Sequence, residues 1–179
     1  MLYTPDERDT VFQETDFPPP LDGAPLPTVC ATEHRLLLAY YVKLWQPEPP
    51  SNKRLNMPVL VNESSLGTVA VVDFRRPAAF FSVPVSNETF DAHPFAFRGL
   101  TGAGVFRVED SSWIRRLKTA QYHHRKPYPG AFSDLKHFIF VFHDSIFEAA
   151  ANDFEVRTVE GSMGDAQDEM LQSMRERAL

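Results

Sequence analysis

From His137 to Ala151 the chain reads HFIFVFHDSIFEAAA, in which large apolar side chains recur at every second position, the spacing of a strand. A strand over His137–His143 puts His137, Ile139, Val141 and His143 on one face and Phe138, Phe140 and Phe142 on the other. Asp144 and Ser145 are turn formers, because their side chains bond the local backbone. A turn there, or a four-residue loop from His143 to Ile146, sets Phe142 opposite Phe147, Val141 opposite Glu148 and Phe140 opposite Ala149. The phenylalanines then share one face with Ala149 and Ala151 and are expected to be core, covered by the helix that carries Trp113. His137, Ile139, Val141, His143, Ile146, Glu148 and Ala150 make up the other, semi-apolar face.

The same reading extends along the chain. VCATEHRLLLAYYVKLW, rich in β-branched and aromatic residues, predicts a strand, and QPEPPSNKRLNMP a loop. LGTVAVVDF and AAFFSVP read as two strands paired across the turn RRP. SNETFDAHPFAFRGLTGAG is a long loop, a length that needs packing by its own side chains or use by a ligand. Its GLTGAG piece precedes the strand-like AGVFRVED, whereas a phosphate-cradling loop follows a strand and opens a helix.

Helical spacing occurs in two places. EDSSWIRRLKTAQYHH predicts a helix capped by Asp110 or Ser111, with an apolar stripe of Trp113, Ile114, Leu117 and Ala120, ended by Pro127, Pro129 and Gly130. GDAQDEMLQSMRERAL predicts a second, with Asp165, Asp168 and Glu169 early, Arg175 and Arg177 late, and Met163, Met170 and Met174 near one face. The expected fold class is α+β: a single domain over residues 29–179, six or seven strands in a largely antiparallel sheet, two helices on one side, the second an amphipathic C-terminal helix. Residues 1–28, acidic and containing DFPPPLDGAPLP, are expected to be peripheral or mobile.

Composition narrows this picture. Of 179 residues 43% are hydrophobic and fifteen are Phe, enough for a sizeable core. One cysteine, Cys30, excludes an internal disulfide framework and a Cys-rich zinc site. The acidic start lacks the features of a signal peptide, and no apolar run approaches the length of a membrane span, so a soluble, cytoplasmic protein is expected, with no membrane partner. The net charge of −6 is uneven: residues 98–136 hold eight basic and three acidic side chains, interleaved with Trp113, Tyr122 and Tyr128. Such a block can bind nucleic acid, but the acidic flanks compete for it, so nucleic acid is a second alternative and not the expected partner.

The chemistry concentrates on the hairpin. A triad of His143, Asp144 and Ser145 fails on geometry, since neighbours in a tight turn point apart and cannot form the relay of nucleophile, base and acid. His137 and His143 stand about 20 Å apart along a strand and cannot share a metal. His143 and Glu148 are diagonal neighbours, and with His93 from the long loop they form an acid/base or metal candidate in which imidazole and carboxylate suit zinc or iron. The favoured reading is plainer: His143 and Glu148 satisfy each other, Asp144 shapes the turn, and no metal or cofactor is expected.

HPFAFRGL, FRVEDSSWIRRL and HFIFVFHDSIFE, in that order, resemble an uncharacterised family of small bacterial proteins. In it a His-Pro loop precedes a Ser-x-Trp helix and a Phe-His-Asp-Ser-x-Phe-Glu hairpin. The match covers residues 84–151, with a weaker echo in ATEHRLLLAYY. The resemblance implies no reaction, cofactor or partner; it marks His93, Trp113, His143, Asp144, Ser145 and Glu148. The functional expectation is a non-catalytic binding or accessory protein, of an immunity-like kind, with a protein or small-molecule partner. The alternative is a hydrolase or metal-dependent enzyme using His93, His143 and Glu148.

Overall fold

The computed structural model describes residues 3–21, 27–43, 64–84, 90–122, 130 and 132–176. The strands among them are β1 Thr10–Gln13, β2 Thr28–Ala31, β3 Leu36–Tyr41, β4 Gly67–Arg75, β5 Ala79–Pro84, β6 Gly104–Glu109, β7 Lys136–Val141, β8 Ser145–Ala151 and β9 Asp153–Gly161. The helices are α1 Ser112–Tyr122 and α2 Met163–Glu176. The fold is α+β and every strand pairing is antiparallel, as expected. Instead of one sheet there are two, ordered β1-β6-β7-β8-β5 and β2-β3-β4-β9. They pack face to face, and the helices lie on opposite outer faces instead of one side. None of the helices among the described residues is long and apolar enough to cross a membrane.

Two continuous apolar runs show why. All six residues of β3 are buried: Leu36, Leu38 and Tyr40 enter the core between the sheets, while Leu37, Ala39 and Tyr41 meet α2. In β4, Ala70, Val72 and Phe74 face the first core and Val69 and Val71 the second. A strand covered on both faces has no polar side to alternate with. The α2 stripe follows the predicted residues, with Met163 and Met170 buried and Met174 partly so. Ser162 caps that helix: its hydroxyl accepts from the Asp165 N–H and donates to the Asp165 carboxylate, which also accepts from the Ser162 N–H. The residue before it, Gly161, has φ 148° and a Cβ there would sit 2.7 Å from Asp165 Oδ2, so only glycine fits.

Other pairings differ from expectation. The run after Val29 is a hairpin, β2 and β3 joined at Thr32–Arg35, where the Thr32 N–H donates to the Arg35 carbonyl. β4 and β5 do not pair; Arg76, at φ 49°, turns the chain from one sheet into the other, and β5 joins β8. The start of the chain supplies the edge strand β1 and a core residue, Phe17, stacked on Phe154 at 3.8 Å and edge-on to Phe140 at 5.0 Å. The loop QPEPPSNKRLNMP, His123, His124, Pro127 and Pro129 lie outside the described residues.

The β7–β8 hairpin keeps the two predicted faces and shifts the register by two residues. Phe140 lies opposite Phe147, Ile139 opposite Glu148 and His137 opposite Ala150, with the Phe142 N–H bonded to the Ser145 carbonyl across a two-residue turn of His143 and Asp144. A shift of two preserves the pleat, so Phe138, Phe140, Phe147, Ala149 and Ala151 still share one face. That face packs on the other sheet, however, and α1 covers the opposite one, against Ile139, Val141, Ile146 and Ala150.

Candidate functional site

The covered polar face holds one group that cannot be buried alone. Glu148, 1% exposed, projects from the middle of β8 into the layer under α1. An unpaired carboxylate there would be costly, so its oxygens must find donors. His137 is the diagonal neighbour on β7, and its Nε2 lies 2.6 Å from Glu148 Oε2. His93, from the loop after a short 3-10 turn at Phe90–Ala92, places Nε2 2.9 Å from Oε1. Tyr3, from the chain's opening segment, donates its hydroxyl to Oε2 at 2.7 Å.

The outer ends of both imidazoles are also engaged. The Phe95 N–H donates to His93 Nδ1 at 3.2 Å, which leaves Nε2 as that ring's N–H and makes it a donor to Glu148. Ser111 Oγ stands 2.9 Å from His137 Nδ1 and accepts the Ile114 N–H, capping α1. With the Ser111 hydroxyl donating to Nδ1 and Nε2–H donating to Glu148, every polar atom of this chain of groups is satisfied. Aromatic rings close it: Trp113 meets His137 edge-on at 4.9 Å, and Tyr3 stacks on Trp113 at 5.7 Å.

The electrostatics follow from these contacts. Burial acts to raise the Glu148 pKa, but the hydrogen bonds from His137, His93 and Tyr3 and the electrostatic pull of the His137 ring outweigh it and hold the carboxyl below its ordinary value. Tyr3 is pushed far above the usual phenol range, by burial first and then by the charge and hydrogen bond of Glu148. The site is thus built around a retained negative charge.

Known protein families, characterised proteins and solved structures give no match to this chain. The geometry therefore stands by itself.

The structure brings His93, Glu148 and Trp113 together and leaves the other marked residues apart. His143 lies in the turn, with Nδ1 2.9 Å from Asp144 Oδ1, both side chains substantially exposed. The diagonal bond from His143 to Glu148 therefore does not form: Glu148 sits opposite Ile139, and His137 is its neighbour two positions along. Ser145 opens β8, buried opposite Pro84, and is no part of the cluster. The cluster also includes Tyr3, Ser111 and His137, none of which the sequence marks as a site residue, since it offers Ser111 as a helix cap and His137 only as a member of the Glu148 face. For His137 the signal was present, since it shares the Glu148 face; for Tyr3 there was none.

No group of three His, Cys, Asp or Glu side chains that could hold a metal ion occurs among the described residues. Within the cluster the physical reason is that both imidazoles turn an N–H toward Glu148 and spend the other nitrogen on Phe95 or Ser111.

Proposed function

We propose that the protein is a non-catalytic binding protein, an accessory factor of an immunity-like kind that acts in the cytoplasm on a protein or small-molecule partner. One observation carries this reading: the Glu148 cluster is closed on itself. Catalysis needs a base, acid or nucleophile with a free lone pair or proton facing a substrate. Here Ser111, His93, His137, Tyr3 and Glu148 are buried and bonded to one another or to backbone N–H groups, the arrangement of a structural keystone. The half-buried thiol of Cys30, with no disulfide, fits a reducing compartment.

The basic block supports binding of nucleic acid less well. Arg107 meets Glu14 and Glu109, Arg115 meets Asp6 and Asp110, and Lys136 meets Asp153, so much of its charge is already answered within the chain.

A second reading, hydrolysis, is favoured by one alignment: Ser111 Oγ to His137 Nδ1 at 2.9 Å and His137 Nε2 to Glu148 at 2.6 Å follow the order of nucleophile, base and acid. Hydrolysis of p-nitrophenyl acetate by the wild type and by Ser111→Ala separates the two. Equal rates are expected, from exposed groups alone. A drop of about tenfold or more in a Ser111→Ala protein that remains folded by circular dichroism would sink the binding reading in favour of the enzyme.

A further inference from the structure

Residues 3–9 form a strap across the outer face of the first sheet, and its attachment differs from that of a structural strand. The chain enters the β1–β6 ladder only at Thr10. Before that, two anchors hold it. At one end the Tyr3 ring sits among Trp113, Phe95 and Phe81 with centroid distances of 5.7, 5.9 and 6.4 Å, and its hydroxyl reaches Glu148. At the other, Asp9 accepts the Ser112 N–H at 2.5 Å, in the first turn of α1. Between them Asp6, 41% exposed, pairs with Arg115 at 2.6 Å, while Arg98 donates to the Asp6 carbonyl.

This is how a protein holds a peptide: an aromatic pocket with a polar floor, two arginines over the backbone and middle carboxylate, and a helix N-terminus for the last carboxylate. The middle contacts are one half-exposed ion pair, Asp6 with Arg115, and one surface hydrogen bond from Arg98 to a carbonyl; such contacts add little, and the ion pair is weakened by salt. Attachment therefore rests on the two ends. We propose that the groove under residues 3–9 is a peptide-docking site, that its partner presents a tyrosine followed by carboxylates three and six residues on, and that the chain's own Tyr3, Asp6 and Asp9 stand in for that partner.

The inference deepens the binding reading and rests on it. Its energetic condition is simple. The strap competes as an intramolecular ligand, at an effective concentration on the order of millimolar, so a partner displaces it by adding contacts beyond the groove. Removing the Tyr3 anchor leaves only the Asp9 end and so weakens that competition.

The test is binding of a labelled, end-blocked peptide Tyr-Thr-Pro-Asp-Glu-Arg-Asp to the full-length Tyr3→Ala chain, followed by fluorescence anisotropy. The expected result is saturable one-to-one binding, about tenfold or more tighter than to the wild type, whose strap competes. A peptide with Ala for the tyrosine should bind about tenfold or more weakly, and high salt should weaken binding. No binding, equal binding of the Ala peptide, equal binding to the wild type, or p-cresol binding as tightly as the peptide would each overturn the proposal, the last because the groove would then read a phenol alone. If Tyr3→Ala lowers the folded fraction, the peptide is expected to restore it by mass action, read by circular dichroism, and failure to do so overturns the proposal too. Esterase activity that depends on Ser111 would sink the binding reading whether or not the peptide binds, so the two can fail separately.

Discussion

Glu148 accepts from Tyr3, His93 and His137, and the consequence of removing its charge can be derived atom by atom. In Glu148→Gln one carboxylate oxygen becomes an NH2 group facing donors, so at least one N–H or O–H in the cluster loses its acceptor. A loss of about 3 kcal/mol or more at neutral pH is expected, measured by urea unfolding. The pH dependence has a definite sign. The folded pKa of Glu148 lies below its ordinary 4.5, so the unfolded chain binds the proton more readily between those two values. Its contribution is therefore complete above 4.5 and is lost as pH falls through the folded value. Unfolding curves from pH 7 to pH 3 should show the wild type losing this part of its advantage over Glu148→Gln; a constant difference would contradict it. At this scale the sequence was legible as to face but not as to partner. Glu148 and His137 plainly share a side of the hairpin, but which histidine meets the carboxylate depends on where the turn falls: at Asp144 and Ser145 it would set Val141 opposite Glu148, and at His143 and Asp144, where it lies, it sets Ile139 there.

Elements were more legible than their arrangement. The α2 helix follows its apolar stripe and its acidic first turn, and α1 begins at the predicted Ser111 cap. The α2 cap is a local device, so Ser162→Ala should remove the two bonds its hydroxyl makes with Asp165 and cost about 1 kcal/mol, measured as a lower urea midpoint with unchanged slope. A change in slope would mean that the cap affects more than its own helix. What stayed hidden was pairing. Nothing in VDFRRPAAF distinguishes a hairpin turn from a corner between two sheets; the left-handed backbone of Arg76 makes it a corner. The runs LLLAYY and TVAVV did carry a signal for strands covered on both sides, in their lack of any polar alternation.

For the whole molecule, stability lies mainly between the sheets. Phe140 is fully buried and its ring meets those of Phe17, Tyr40, Phe74 and Phe147 at 5.0 to 5.9 Å, joining both sheets and the chain's opening segment. Phe140→Ala should therefore cost about 3–5 kcal/mol, seen as a large drop in the urea midpoint; a loss below about 1 kcal/mol would mean that the sheets do not depend on this contact. The fifteen phenylalanines announced such a core, but two layers of strand could not be told from one, because alternation describes a single strand and not what lies across from it. One bond has a consequence in time. Tyr3 and Glu148 lie 145 residues apart in the chain, and a ribosome makes the tyrosine first. Tyr3 therefore has no carboxylate to meet until the ribosome has passed β8, so closure of the cluster follows the making of the β7–β8 hairpin, however early the tyrosine itself emerges.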